Sequence, residues 1–337
     1  MSSNKNIFST IINSWRSLLK LLTFSDGSLS QQWPFRLALG IPILASLLLC
    51  LPLWISPSIT FNLTSDGYNK FLEIFKFPIV VLSLSIPLVA IVAHIHRTIQ
   101  TASQIDTTKK KNLADSFFSH HKYITEALGK LPSIKTQVAG LDFEYKITDP
   151  YSSYNFIFED SNYKVGVITD NLYDKIKIIE ENIKSINEII YKFKQESFPD
   201  MKDEMFALHN LNNSLNFICF KLSISTPEKT NNRLVIYKNE HGISKLVMPF
   251  MDESEIKKKI FSVNSLCQKT FSLINVDVSF NTTTRVYSHS NEKGSFYMNS
   301  LFNCSIKTNQ NPCYAISNNN SQALDEQYNK YLRDFNA

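Results

Sequence analysis

Residues 37–55 read LALGIPILASLLLCLPLWI and residues 77–93 read FPIVVLSLSIPLVAIVA, and neither stretch holds a charged side chain. At about 1.5 Å of rise per residue, the first covers about the 30 Å of a bilayer's hydrocarbon. The second reaches a similar length when carried through a neutral His94 to Ile95. One such stretch fits a buried helix of a soluble domain. Two in succession predict a transmembrane hairpin with spans 37–55 and 77–95. Leu37, Leu48 and Ile55 mark the first span, and Phe77, Leu84 and Ala93 the second. A cleavable signal peptide is not expected, because the first stretch is too long and starts too late.

The flanking charges set an orientation. Lys5, Arg16, Lys20 and Arg36 precede the first span against one acid, Asp26; Arg97, Lys109, Lys110 and Lys111 follow the second against Asp106. The connection holds two bases, Lys70 and Lys76, and two acids, Asp66 and Glu73. Basic flanks stay on the cytoplasmic side, so both termini are expected in the cytoplasm, with a short outer loop.

Upstream, Ile7, Phe8, Ile11, Ile12, Trp15, Leu18, Leu19 and Leu22 recur at three- and four-residue steps, opposite serines, asparagine and basic residues. This stripe predicts an amphipathic helix over 1–26, ended by Asp26-Gly27, with Ile11, Trp15, Leu18 and Leu22 lying in the headgroup plane. Packing of the same stripe on the protein's own soluble part is the alternative.

Inside the spans the polar groups are Ser46, Ser83 and Ser85, beside Pro42, Pro52, Pro78 and Pro87. Without acids or bases there, no proton relay, voltage sensor or charged selectivity ring can be assigned. One hairpin encloses no channel, so a pore would need several copies and would be poorly selective. A plain anchor fits the same residues.

The chain's 337 residues suit two modules, and its mean hydropathy of −0.13 averages an apolar hairpin with a polar remainder. Residues 1–111 carry ten Lys/Arg and four Asp/Glu, leaving 25 bases and 26 acids of the total 35 and 30 for the rest. The net +5 therefore belongs to the membrane flanks and is no nucleic-acid footprint. Lys257-Lys258-Lys259, with Glu253 and Glu255 beside it, is expected to be a solvated helix face. Eight glycines are placed such that no GxGxxG, Walker A loop or GxSxG elbow can be written, and no cofactor is called for.

No Pro or Gly lies between Leu88 and Ala127, which predicts a long connecting helix over 96–130 that couples the second span to the soluble part. Ile95, Ile99, Ala102 and Ile105 form a thin apolar seam along it at roughly heptad steps, a route to a homo-oligomer. Beyond residue 130 the pattern predicts a cytosolic α+β domain over 131–337. Strands are expected in TQVAGLDFEYKITD, NYKVGVIT, VDVSFNTTTRVYS and a hairpin RLVIYKNEHGISKLVMPF turning at Asn239-Glu240-His241-Gly242. Helices are expected over LYDKIKIIEENIKSINEIIYKFKQ, MKDEMFALHNLNNSLNFICFKL, ESEIKKKIFSVNSLCQKTFSLI and a final ALDEQYNKYLRDF.

Five cysteines, at 50, 219, 267, 304 and 313, read as free thiols. Cys304 and Cys313 lack the CxxC spacing and histidines of a zinc site. His120-His121 is the densest titratable group of the connecting helix, and surface or partner-facing histidines explain it better than a catalytic base without a nucleophile or metal. No catalytic residue is assigned, and an enzyme is not expected.

The segment RTIQTASQIDTTKKKNLADSFFSHHKYI resembles one that follows the transmembrane hairpin in bacterial anti-phage membrane proteins of the abortive-infection type. The matching positions are Arg97, Gln100, Thr101, Gln104, Ile105, Asn112, Phe117, Phe118 and His121, with Tyr123 or Ile124 closing the pattern. The layout is also similar to the two-transmembrane effectors encoded beside retron reverse transcriptases. The resemblance implies a toxin-like defence effector held inactive by a reverse transcriptase and its branched DNA–RNA product. Once released, it would disrupt the inner membrane and cause abortive infection. A membrane-tethered enzyme with its active site in the α+β domain, and a non-catalytic membrane-anchored sensor or scaffold, remain as alternatives.

Overall fold

The computed structural model describes residues 23–24, 27–56, 59, 62–228, 231–240, 242–290, 292, 294–317 and 322–336. The stripe expected to lie in the headgroup plane, with Ile11, Trp15, Leu18 and Leu22, falls outside them. The chain divides into two compact units, Met1–Asn112 and Leu113–Ala337.

In the first unit a single 3-10 turn, Leu29–Gln31, leads into α1, Trp33–Ile55, with Pro34 in its first turn, where a missing N–H costs nothing. Helix α2, Ser65–Ile74, then lies in the connection, capped by the Thr64 side chain on the Gly67 N–H. The connection is therefore largely helical. Helices α3, Lys76–Ser83, and α4, Ser85–Gly129, follow with one interruption at Leu84. Among the described residues, two helical stretches are long and apolar enough to cross a membrane: Trp33–Ile55 and the run opening at Lys76.

The second apolar stretch is thus two helices rather than one, for a local reason. Pro87 has no N–H to give the Ser83 carbonyl, and the ladder breaks one turn before it. The Ser83 hydroxyl donates to the Val80 carbonyl at 2.7 Å and the Ser85 hydroxyl to Leu82 at 2.7 Å, so side chains serve carbonyls around the break. Beyond Pro87, α4 runs unbroken to Gly129, as the lack of breakers from Leu88 to Ala127 predicts.

The second unit begins inside α4. Ile124 and Leu128 of that helix are buried with Tyr154, Ile157 and Phe158 of α5, Pro150–Ile157, and its end. A hairpin of β1, Ile134–Val138, and β2, Leu141–Tyr145, turns through Ala139 and Gly140, both at positive φ. Next come α6, Leu172–Lys194, and α7, Met201–Lys221, which pack on each other. The isoleucines at 176, 179, 183, 186 and 190, spaced for one face of a helix, are all buried.

Strands β3, Asn232–Asn239, and β4, Gly242–Met248, pair as the expected hairpin, with Asn239 opposite Gly242. Helix α8, Glu253–Ser272, follows, then α9, Thr282–His289, α10, Asn299–Asn303, β5, Ile306–Thr308, β6, Cys313–Ser317, and α11, Gln322–Asn336. The antiparallel sheet has the order β5-β3-β4-β6. Its two faces are both covered. Val235, Leu246 and Met248 join the main core with α7 and α8, while Leu234, Ile236, Ile243 and Val247 pack with Tyr331 of α11. Burial on both faces explains why these strands read as near-continuous apolar runs.

Two expected strands are absent. In NYKVGVIT the backbones of Asn162 and Gly166 pair with each other, and the Ser161 hydroxyl takes the Ile168 N–H at 2.8 Å, making a closed turn. In VDVSFNTTTRVYS, Val278 and Phe280 enter the core as extended chain, but the Phe280 N–H goes to the Asn264 side chain at 2.9 Å rather than to a strand. Asn281 then caps α9 through the Thr284 N–H at 2.8 Å, so TTTRVYSH is helical despite its β-branched residues.

Candidate functional site

Three constellations carry polar chemistry, and the first lies in the apolar helices. Ser46, buried in α1, donates its hydroxyl to the Pro78 carbonyl of α3 at 3.0 Å. At the far end of the second apolar run, the buried His96 side chain lies 2.8 Å from the Gly27 carbonyl, which precedes α1. The antiparallel pair is therefore tied by polar contacts at two levels. Elsewhere it exposes apolar side chains: Leu48, Ile55, Phe77 and Leu84 are all open, with Leu48 64% exposed, while Leu37 and Ala93 are half-buried.

The positions of the resemblance do not converge. Arg97, Thr101, Gln104, Ile105 and Asn112 are exposed on the first unit's part of α4, and Gln100 is half-buried. The Thr101 hydroxyl bonds back to the Arg97 carbonyl at 2.9 Å, an ordinary intrahelical contact. The apolar seam through Ile95, Ala102 and Ile105 is open as well, with Ile99 half-buried. In the second unit, Phe118 points outward, whereas Phe117 and His121 join an aromatic cluster.

That cluster is the second constellation. His120 Nδ1 lies 3.0 Å from the Tyr154 hydroxyl, and its ring stands edge-on to Phe158 at 4.6 Å. His121 packs against Tyr154 at 4.5 Å and Tyr151 at 5.4 Å. The histidines therefore fasten α4 to α5 and are not loose surface groups. Burial, and then the neighbouring His121, hold the His120 imidazole below its ordinary value.

The third constellation corrects the sequence reading of the lysine run. Only Lys258 is exposed; Lys257 is 1% exposed and Lys259 5%. Lys257 donates to the Ser290 carbonyl and the Ser295 hydroxyl, both at 2.9 Å, and its ammonium sits 3.8 Å from the Phe296 ring centre. Glu253 accepts from the Tyr287 hydroxyl and the Tyr297 N–H at 2.7 Å and from the Met298 N–H at 2.8 Å. Glu255 accepts the Ala139 N–H at 2.5 Å and the Met251 N–H at 2.8 Å. Lys259 reaches across to α7, donating to Asn212 Oδ1 at 3.0 Å and Asn216 Oδ1 at 2.6 Å. Helix α8 is thus packed on nearly all sides, with its charges satisfied by loop backbone and amides. A signal was present: Glu253/Lys257 and Glu255/Lys259 are i,i+4 pairs, in a helix whose Ile256, Ile260 and Val263 must face inward.

No protein family, curated protein or solved structure matches the chain. Among the described residues no three His, Cys, Asp or Glu side chains gather as a metal site requires. Cys219 and Cys267 are buried, and burial raises both thiols, Cys219 to about 11, which suppresses the nucleophilic thiolate.

Proposed function

We propose that the chain is an anti-phage defence effector that acts on the bacterial inner membrane through its apolar helix pair, under the control of its α+β unit. The observation that carries this reading is the outward-facing apolar surface of α1, α3 and the start of α4. A core helix of a soluble protein buries such surface, whereas here Leu44, Leu48, Ile55, Phe77, Leu84 and Ile86 stand open. Lipid is the solvent that suits them. The basic flanks support cytoplasmic termini. The resemblance of residues 97–124 to abortive-infection proteins supports the defence role, with a reverse transcriptase and its branched DNA–RNA product as the restraining partners.

Expression without those partners then dissipates membrane potential and arrests growth. Leu48→Lys and Leu84→Lys, checked for membrane insertion by fractionation, lose that effect because a charge at mid-span costs about 2.5–3.5 kcal/mol. Growth arrest with fully retained potential-sensitive dye would remove the proposal.

A further inference from the structure

A cleft of about 530 Å³ opens in the second unit between α7, the start of α8 and the chain around Ser223–Glu228. Its size is that of a small-molecule site. Lys259 lines it, and this cation has no carboxylate within ion-pairing distance among the described residues. Glu255, one turn before it, has committed its carboxylate to the Ala139 and Met251 N–H groups. An ammonium has three N–H donors, and Asn212 and Asn216 take two of them through their Oδ1 atoms. That arrangement turns both asparagines the same way: each has its oxygen spent on Lys259, leaving its NH₂ as a donor at the cleft wall.

A buried cation held by two amides and the face of the Phe250 ring, 5.4 Å away, but by no carboxylate, is costly to keep charged, and burial does hold Lys259 below the ordinary lysine value. An oxyanion in the cleft would supply the missing counter-charge and accept the remaining ammonium and amide protons. Glu255, Asp149 and Glu228 all line the cleft, Glu255 spent on backbone N–H groups and Asp149 Oδ1 capping α5 through the Tyr151 and Ser152 N–H groups, so a bare anion gains less than a ligand that also brings hydroxyl donors for Glu228 and Asp149. Phe220, Phe250 and Pro227 supply apolar wall for its carbon frame.

We propose that this cleft binds a hydroxyl-bearing phosphate monoester, such as a sugar phosphate or mononucleotide, with the phosphate at Lys259, Asn212 and Asn216. The site does not depend on the membrane reading and is tested without a bilayer. The full chain is purified in detergent and its thermal midpoint followed with ribose 5-phosphate, AMP, inorganic phosphate and adenosine.

Ribose 5-phosphate or AMP raises the midpoint by about 5 °C or more at a hundredfold excess over Kd. Inorganic phosphate gives less and adenosine nothing. Lys259→Met removes the cation at similar volume and abolishes the shift. Asn216→Asp, isosteric at an exposed position, places a carboxylate beside Lys259 and also abolishes it. It serves as the deciding variant if Lys259→Met does not fold. A shift retained in Asn216→Asp, an equal shift with adenosine, an inorganic phosphate effect as large as that of the esters, or no shift with any probe overturns the assignment.

Discussion

The hydroxyl of Ser46 donates to the carbonyl of Pro78 at 3.0 Å, joining residues 32 apart in the chain on the two apolar helices. Both are buried while most of their neighbours are not, so this is where α1 and α3 touch closely. Small residues at such crossings let backbones approach, and a serine hydroxyl can bond across to the neighbouring helix.

Ser46→Ala should therefore lower the stability of the helix pair by about 0.6 kcal/mol. Ser46→Leu should cost more, since the larger side chain must push α3 away. SDS titration of the full chain carrying Trp15→Phe, read by the fluorescence of Trp33 and Trp54 on α1, checks both. Equal midpoints for all three proteins would show that the crossing lies elsewhere.

The lysine run offers a contrast within three residues. Lys257→Glu buries a carboxylate beside Glu253 and should prevent stable folding, as an uncompensated buried charge does. Lys257→Met keeps the volume but loses both serine bonds, and should cost about 1–3 kcal/mol. Lys258→Glu, on the exposed side, should fall within about 0.5 kcal/mol of the parent. Similar stabilities for the two glutamate variants by urea denaturation would contradict the burial of Lys257.

Acidification should loosen the α4–α5 junction. The folded imidazole of His120 titrates below its unfolded value of 6.5, so near that pH the unfolded chain binds more protons. Stability therefore declines as pH falls through 6.5 and levels off below the folded value. His209, lowered by burial, contributes with the same sign. His120→Phe retains the ring packing without the proton and should shrink the loss of thermal midpoint between about pH 7.5 and 5.5. A loss unchanged in that variant would assign the acid sensitivity to other groups.

Ala139 holds φ +53°, a left-handed conformation that costs a non-glycine residue about 1–2 kcal/mol. Its N–H is anchored by Glu255, which helps to hold the turn there. Ala139→Gly should raise stability by up to about 1 kcal/mol, net of glycine's greater chain entropy. Chemical denaturation with an unchanged slope is the measurement, and a loss of stability would mean that the alanine methyl packs usefully.

Elements governed by their own spacing were legible. The isoleucine ladder of α6, the β3–β4 hairpin around Asn239 and Gly242, and the unbroken helix after Pro87 follow from periodicity, turn chemistry and the absence of breakers. Segments decided by a single side-chain cap were not. Val276–Phe280 has strand composition, yet the Asn264 side chain takes the place of a neighbouring strand. The Leu84 break was foreseeable from Pro87, but its exact place depends on which serine hydroxyls reach which carbonyls.

The sequence by itself determined the two apolar stretches, the basic flanks and the alternation of helices and strands that follows, because hydropathy, charge and period are properties of neighbours along the chain. Only the tertiary structure decided which charges are buried. Lys257, Lys258 and Lys259 are chemically identical and adjacent, but successive helix positions are turned by about 100°, and α8 has packing partners around most of its circumference. Two of the three lysines therefore enter the interior, where loop carbonyls and asparagines from distant segments receive them. Lys259 faces a cleft whose walls no local pattern could assemble.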